Sequence, residues 1–158
     1  MFREMRRIRQ QTDTAECERI LEAAKRGVLS VNGDGGYPYG MPMDHWYCPE
    51  DGKIYFHSGM QGHKVDSFRA DDRASYCVFD EGYRKPGEWA LNIRSVIVFG
   101  RIEIVEEPER ALMAVRQLSL RFTKDTAEIE EEIRRSGAHT LYFALVPEYM
   151  TGKLVNES

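Results

Sequence analysis

Apolar and polar residues alternate in short runs along most of this chain, and the runs are broken by clusters of glycine, proline, asparagine and aspartate. Such alternation marks strands with one buried face, and breaks of that composition are turns. The spacing predicts strands over 28–31, 37–48, 53–57, 73–80, 91–105 and 139–146, with a tail over 148–153. Asn32-Gly33-Asp34-Gly35-Gly36 is a hairpin turn rich in residues that tolerate positive φ, and Pro49-Glu50-Asp51-Gly52 is a second turn. Four stretches carry helical signals instead. Asp13 and Glu16 stand as cap and N3 partner of a helix that ends at Gly27, with Cys17, Ile20, Leu21 and Ala24 on its apolar side. A short helix covers 62–69. Pro108 opens a core-facing helix over 108–122, striped by Ala111, Val115, Leu118 and Phe122. A charged surface helix follows over 126–135, closed by Gly137. Strands joined by tight turns pair antiparallel, because parallel neighbours need long crossovers. Six of them predict a mainly β protein, a small antiparallel barrel with helices over its openings. One domain is expected over 1–158, behind an N-terminal arm at 1–12.

One stretch concentrates candidate chemistry: Tyr55-Phe56-His57-Ser58-Gly59-Met60-Gln61-Gly62-His63-Lys64. It reads as a strand end, a turn eased by Gly59 and Gly62, and the basic start of a helix. A helix start with its free N–H groups, beside two basic side chains, suits a phosphate. A plain strand-to-helix turn with solvated His63 and Lys64 satisfies the same spacing.

Pro38 and Pro42 share a parity, so both remove a ladder donor from the same side of their strand. That side is expected to be an open edge, exposing Tyr39, Met41 and Met43 beside it. Val96, Val98, Ile102 and Ile104 form one face of the strongest strand. Ile97 and Phe99 lie on the other, an apolar patch that calls for a cover from a helix or a second subunit.

Composition narrows the classes. Hydrophobic residues make up 42% of the 158, enough for a real core, and the net charge of −4 gives no general pull toward nucleic acid or anionic membrane. Arg3, Arg6, Arg7 and Arg9 are the exception, a solvated tail or a strap across a partner. No apolar run approaches the ~20 residues of a membrane span, and a signal peptide's apolar middle is missing, so a cytoplasmic location is expected. Cys17, Cys48 and Cys77 form no CxxC pair and read as reduced, mostly buried thiols. His45, His57 and His63 with Cys48 match no compact metal-ligand spacing, so no metal is expected. A GxSxG elbow, a P-loop and a GxGxxG junction are all lacking.

Taken in order, Ile54-Tyr55-Phe56-His57-Ser58 with Gly62-His63-Lys64, then Arg94-Ser95-Val96 with Gly100 five residues after Ser95, and finally Thr151-Gly152-Lys153, resemble the FMN-binding split-barrel family of pyridoxamine 5'-phosphate oxidase. The nitroimidazole-resistance branch is the most similar part of it, and the likeness runs from about Thr14 to Lys153. The resemblance implies a six-stranded antiparallel split barrel of Greek-key type. It also implies a homodimer with one FMN per subunit at the interface.

By position, Gly62, His63 and Lys64 match the flavin-phosphate turn, with Lys64 as the family's lysine and His63 where arginine is usual. His57, next to Ser58, matches a flavin-contacting threonine, and Ser95 matches a glutamine on the ring. Tyr39, Met41, Pro42 and Met43 would run along the ring, and Arg94 and Lys153 complete the implied cofactor-binding set. The oxidases' Arg-x-x-x-Leu-Lys pattern is replaced by Gly40-Met41-Pro42-Met43, and their basic C-terminal substrate motif is missing. Pyridoxamine phosphate oxidation itself is therefore not expected. What the resemblance implies is an FMN-dependent oxidoreductase passing electrons from NAD(P)H to a small acceptor, such as a nitro-aromatic or a quinone. His57 is its catalytic candidate. A non-catalytic FMN carrier or sensor, and a haem-binding relative of the same barrel, are the alternatives.

Overall fold

The computed structural model describes residues 1–157. An N-terminal arm ends in a two-residue strand, β1 (Gln11–Thr12), followed by helix α1 (Thr14–Ala23). Strands β2 (Arg26–Asn32), β3 (Pro38–Asp44), β4 (Trp46–Tyr47) and β5 (Ile54–Gly59) come next. Helix α2 (His63–Ala70) leads into β6 (Arg73–Phe79) and the long β7 (Leu91–Ile104). Helices α3 (Pro108–Leu120) and α4 (Thr126–Ser136) precede the final strand, β8 (Thr140–Glu157). The eight strands form one sheet in the order β3-β2-β6-β7-β8-β5-β4, with β1 added to β8, and neighbouring strands pair antiparallel. The sheet curls until β3 comes back against β5, giving an antiparallel half-barrel with flanking helices, the split-barrel fold. No helix among the described residues is long and apolar enough to cross a membrane.

Several local expectations hold for the reasons given. Asp13 caps α1 by accepting from the Glu16 amide at 2.8 Å, and Pro108 occupies the first turn of α3. Among the described residues β3 pairs with β2 and with no other strand, so the edge that Pro38 and Pro42 protect is open.

Other boundaries moved, and each shift has a cause. α1 stops at Ala23, and Gly27 is no helix terminator but a residue of β2. A Cβ on Gly27 would run into the Cys77 carbonyl and the side chains of Tyr76 and Val78, so glycine lets β2 lie tight against β6. The expected return strand over 37–48 divides at His45 into β3 and β4, and with β1 in the arm this gives eight strands among the described residues rather than six. The expected tail over 148–153 is strand. β8 continues past Pro147 because a bulge opposite Phe99 and Gly100 absorbs Glu148 as an extra residue.

The core is lined by alternate residues of β2, β3, β6 and β7. Leu29, Tyr76, Val78, Val96 and Val98 are fully buried among them, with Phe56 and Phe143 closing the far side. A second, smaller core lies behind β5 and β8, where Tyr55, Ala144 and Cys48 pack under Ala114 of α3. The latch on α3 is polar: Asp51 accepts from Tyr55 Oη at 2.6 Å and from Arg110, whose Nε donates to Tyr55 Oη at 2.9 Å.

Met41 and Met43 contradict the exposed seam read from the sequence. Each is only 8% exposed, because the parity that turns both prolines outward turns both methionines into the core. The patch at Ile97 and Phe99 is covered neither by a helix nor fully. Phe2 from the N-terminal arm lies on Phe99 and stacks against Tyr149, with ring centres 5.6 and 5.0 Å apart. Even so, Ile97 and Phe99 stay 40% and 39% exposed.

Candidate functional site

The split between β3 and β5 gathers most of the singled-out residues. β5 delivers His57 and Ser58, and Gly62 starts α2 from a backbone that a side chain would strain, at φ +131°. Gly59, by contrast, sits in the strand itself and has no positive φ. Gly62 supplies no side-chain cap, so the first-turn amides of α2 are left for another acceptor. A Cβ on Gly62 would meet nothing within 4 Å, so the space above this turn is open.

Lys64 follows immediately. It is half-buried, and its only hydrogen-bond partner among the described residues is the thioether of Met43, at 3.8 Å. Sulfur is a weak acceptor, so the ammonium carries an almost unspent charge. His63 is held more firmly. Its ring stacks on Tyr39 at 4.0 Å, and its Nε2 accepts from the Asp34 amide at 3.3 Å, tying α2 to the β2–β3 turn. Asp34 was not singled out in the sequence, and only the folded turn brings it to His63.

His57 is solvent-accessible, and its ring makes no hydrogen bond to any described residue. Desolvation in the recess holds its pKa below the ordinary histidine value, the nearby Lys64 adds to this, and Asp44 opposes it. Ser58 Oγ donates to the neighbouring Gly59 carbonyl at 2.8 Å. Beyond His57 opens a cavity of about 350 Å3, walled by α3 and α4. α4 is more than the charged surface helix expected from its sequence. Its missed signal was Ile129, which is 4% exposed and turns one face of that charged helix inward.

Arg94, Ser95 and Lys153 are not brought to this seam. Ser95 and Lys153 pair with each other across β7 and β8, and β2 and β6 separate β7 from β3. Arg94 is already engaged. Its Nε lies 3.2 Å from Glu16, its backbone amide donates to Asp80 at 2.9 Å, and its guanidinium covers the Tyr83 ring at 4.5 Å. Within one chain the candidate residues thus form two groups, one at the split and one at the middle of the sheet.

Comparison with known proteins adds the family. The model of the pyridoxamine 5'-phosphate oxidase family matches residues 13–154. Among solved structures, a conserved hypothetical protein of Mycobacterium tuberculosis superposes with a TM-score of 0.80 at 22% identity, covering 95% of this chain and 90% of that one. A candidate 5-nitroimidazole antibiotic resistance protein of Bacteroides thetaiotaomicron gives 0.75 at 20% identity, covering 92% and 86%. An FAD-binding protein of Mesorhizobium loti gives 0.70 at 24% identity, covering 94% and 97%. A search of the curated proteins found no match. These likenesses are to the fold, while the family model spans nearly the whole chain, and on that match the chain belongs to the pyridoxamine 5'-phosphate oxidase family.

Proposed function

We propose that the chain is an FMN-dependent oxidoreductase that takes electrons from NAD(P)H and passes them to a small acceptor. The observation that carries this is Lys64, a half-buried cation with only a thioether for a partner, beside the uncapped amides of α2 and the open space over Gly62. That donor set fits a phosphate. Helix-start amides and a lysine both favour an anion, and no carboxylate competes for Lys64 among the described residues. Family membership and the FAD-binding neighbour support a flavin as the owner of that phosphate.

The remaining roles follow from the residues. Lys64 and the α2 amides would anchor the phosphate, while Tyr39 and Pro42 would border a ring laid along the open edge of β3. Met41 and Met43 would support that edge from within the core, and Met43 also steadies Lys64. His57, without a hydrogen-bond partner among the described residues, can offer a hydrogen bond or a proton at the mouth of the cavity. A flavin would supply the two-electron chemistry, and the protein would position it.

The separation of Ser95 and Lys153 from the seam supports a homodimer, in which one copy brings this group to the seam of the other. The exposed Val28, Ile97 and Phe99 give such a dimer an apolar surface.

The test is the visible spectrum of protein purified without added cofactor, followed by FMN titration and NAD(P)H oxidation with and without a nitro-aromatic or quinone. Flavin absorbance with acceptor-dependent turnover is the expected result. Tight FMN without turnover would make the chain a carrier or sensor, and a Soret band would replace flavin with haem.

A further inference from the structure

The cavity beyond His57 has a definite chemical character. Its volume of about 350 Å3 lies in the range of small-molecule sites. Val115 and Leu118 of α3, Phe122 just after it and Ile129 of α4 line the slot and give it apolar walls. Phe122 is 46% exposed, and its ring already attracts a cation: Lys25 Nζ lies 5.5 Å from its centre.

Around the slot, one carboxylate is left without a counter-ion among the described residues. Three carboxylates, Asp44, Glu128 and Glu132, line it against a single guanidinium, Arg135. Asp44 is paired with Arg26 at 2.9 Å, and Glu132 is held by Arg135 and by Ser136 Oγ. Glu128 has no cation partner among the described residues, only the Thr123 hydroxyl at 3.5 Å. Lys64, whose charge acts on His57, is turned to the Met43 sulfur. A positive group in the slot would meet Glu128 and an aromatic face, whereas a carboxylate or phosphate would meet a carboxylate without a counter-ion.

We propose that this slot is the acceptor subsite and that it takes small flat aromatics carrying a positive charge, rejecting anionic ones of the same size. Its role in a redox reaction rests on the flavin reading above, whereas the binding preference does not. His57 stands in the slot wall, where a bound aromatic would lie against the group assigned to proton delivery.

The experiment compares three probes of one size, N-methylquinolinium, quinoline and quinoline-2-carboxylate, by calorimetry and ligand-detected NMR at low salt. It uses the full-length protein with and without FMN. An exposed carboxylate is worth up to about fivefold for a cation and a similar factor against an anion, so the quinolinium should bind on the order of tenfold tighter than the carboxylate. Raising the salt should shrink that ratio. Ser119→Trp, which fills the slot, should remove binding of all three probes.

Glu128→Gln should lower the preference and Glu128→Lys should reverse it, with FMN affinity unchanged in both. Should Glu128→Lys loosen α4, Asp44→Asn reads the same preference from the sheet side. Equal binding of cation and anion overturns the proposal, as does a ratio that neither Glu128→Lys nor Asp44→Asn alters. If the cation preference holds but no FMN binds, the flavin reading falls while this assignment stands.

Discussion

Two polar regions meet at Met43, and their contrast separates a structural histidine from an available one. On the core side, His45 is fully buried, with Nε2 2.7 Å from the Leu21 carbonyl and Nδ1 2.6 Å from Tyr76 Oη. Tyr76 Oη also lies 3.0 Å from the Met43 carbonyl. Burial pushes the His45 pKa down to about 4, so the ring stays neutral, with Nε2 donating to the Leu21 carbonyl and Nδ1 accepting from Tyr76 Oη. On the seam side, Lys64 leans on the Met43 sulfur and His57 has no partner at all among the described residues. Desolvation lowers the pKa of both histidines, yet only His57 keeps its hydrogen-bonding capacity for something that arrives from outside.

The core side should answer mutation most strongly. His45→Ala strips partners from Leu21 and Tyr76 in a fully buried place, and leaving buried polar groups unmatched costs about 1–3 kcal/mol each. Chemical denaturation should show a loss of about 3 kcal/mol or more, while the folded fraction binds FMN as before. A matching pH effect belongs to the wild type. A base with a folded pKa near 4 and an unfolded value near 6.5 takes up its proton first in the unfolded chain, so stability is full above that value and falls as pH drops from about 6.5 toward 4. Two and a half units at 1.36 kcal/mol each bound this loss at about 3 kcal/mol. His45→Ala should flatten that slope, and an equally steep acid limb in the mutant would break the contrast.

On the seam side, effects should fall on ligands rather than on stability. Lys64→Ala should weaken FMN by about 1.5–3 kcal/mol, a tenfold to hundredfold change, and leave riboflavin nearly unchanged. Equal losses for both ligands would remove the phosphate from this turn. Phe99→Glu asks whether a second copy completes the seam. A charge set into an apolar interface should weaken dimerisation by about tenfold or more in sedimentation and reduce FMN affinity with it. A mutant that stays dimeric would assign Phe99 to the arm carrying Phe2 alone.

The smallest effect is expected at His57. His57→Ala should leave FMN affinity in place and lower the potential of the bound flavin by roughly 30 mV, which is about 1.4 kcal/mol for two electrons. Unchanged potential and turnover would take away its functional role.

Much of this was readable in the residues, because capping, turn formation and proline placement act over a few neighbours in the chain. The Asp13 cap, the first-turn Pro108, the open proline edge of β3 and the glycine-started basic helix at Gly62 are all such features. Other features depended on what folding brings together. Glu16 was expected to serve its own cap, yet its carboxylate reaches Arg94 on β7. Gly27 looked like a helix end and is instead the close approach of two strands. The methionines of β3 changed sides because parity says that neighbours face oppositely, not which face meets the core. The slot between α3 and α4, the lowered pKa of His57 and the almost unspent charge of Lys64 have the same origin. Burial, desolvation and the absence of a counter-ion are set by residues distant in sequence, and only the folded half-barrel determines them.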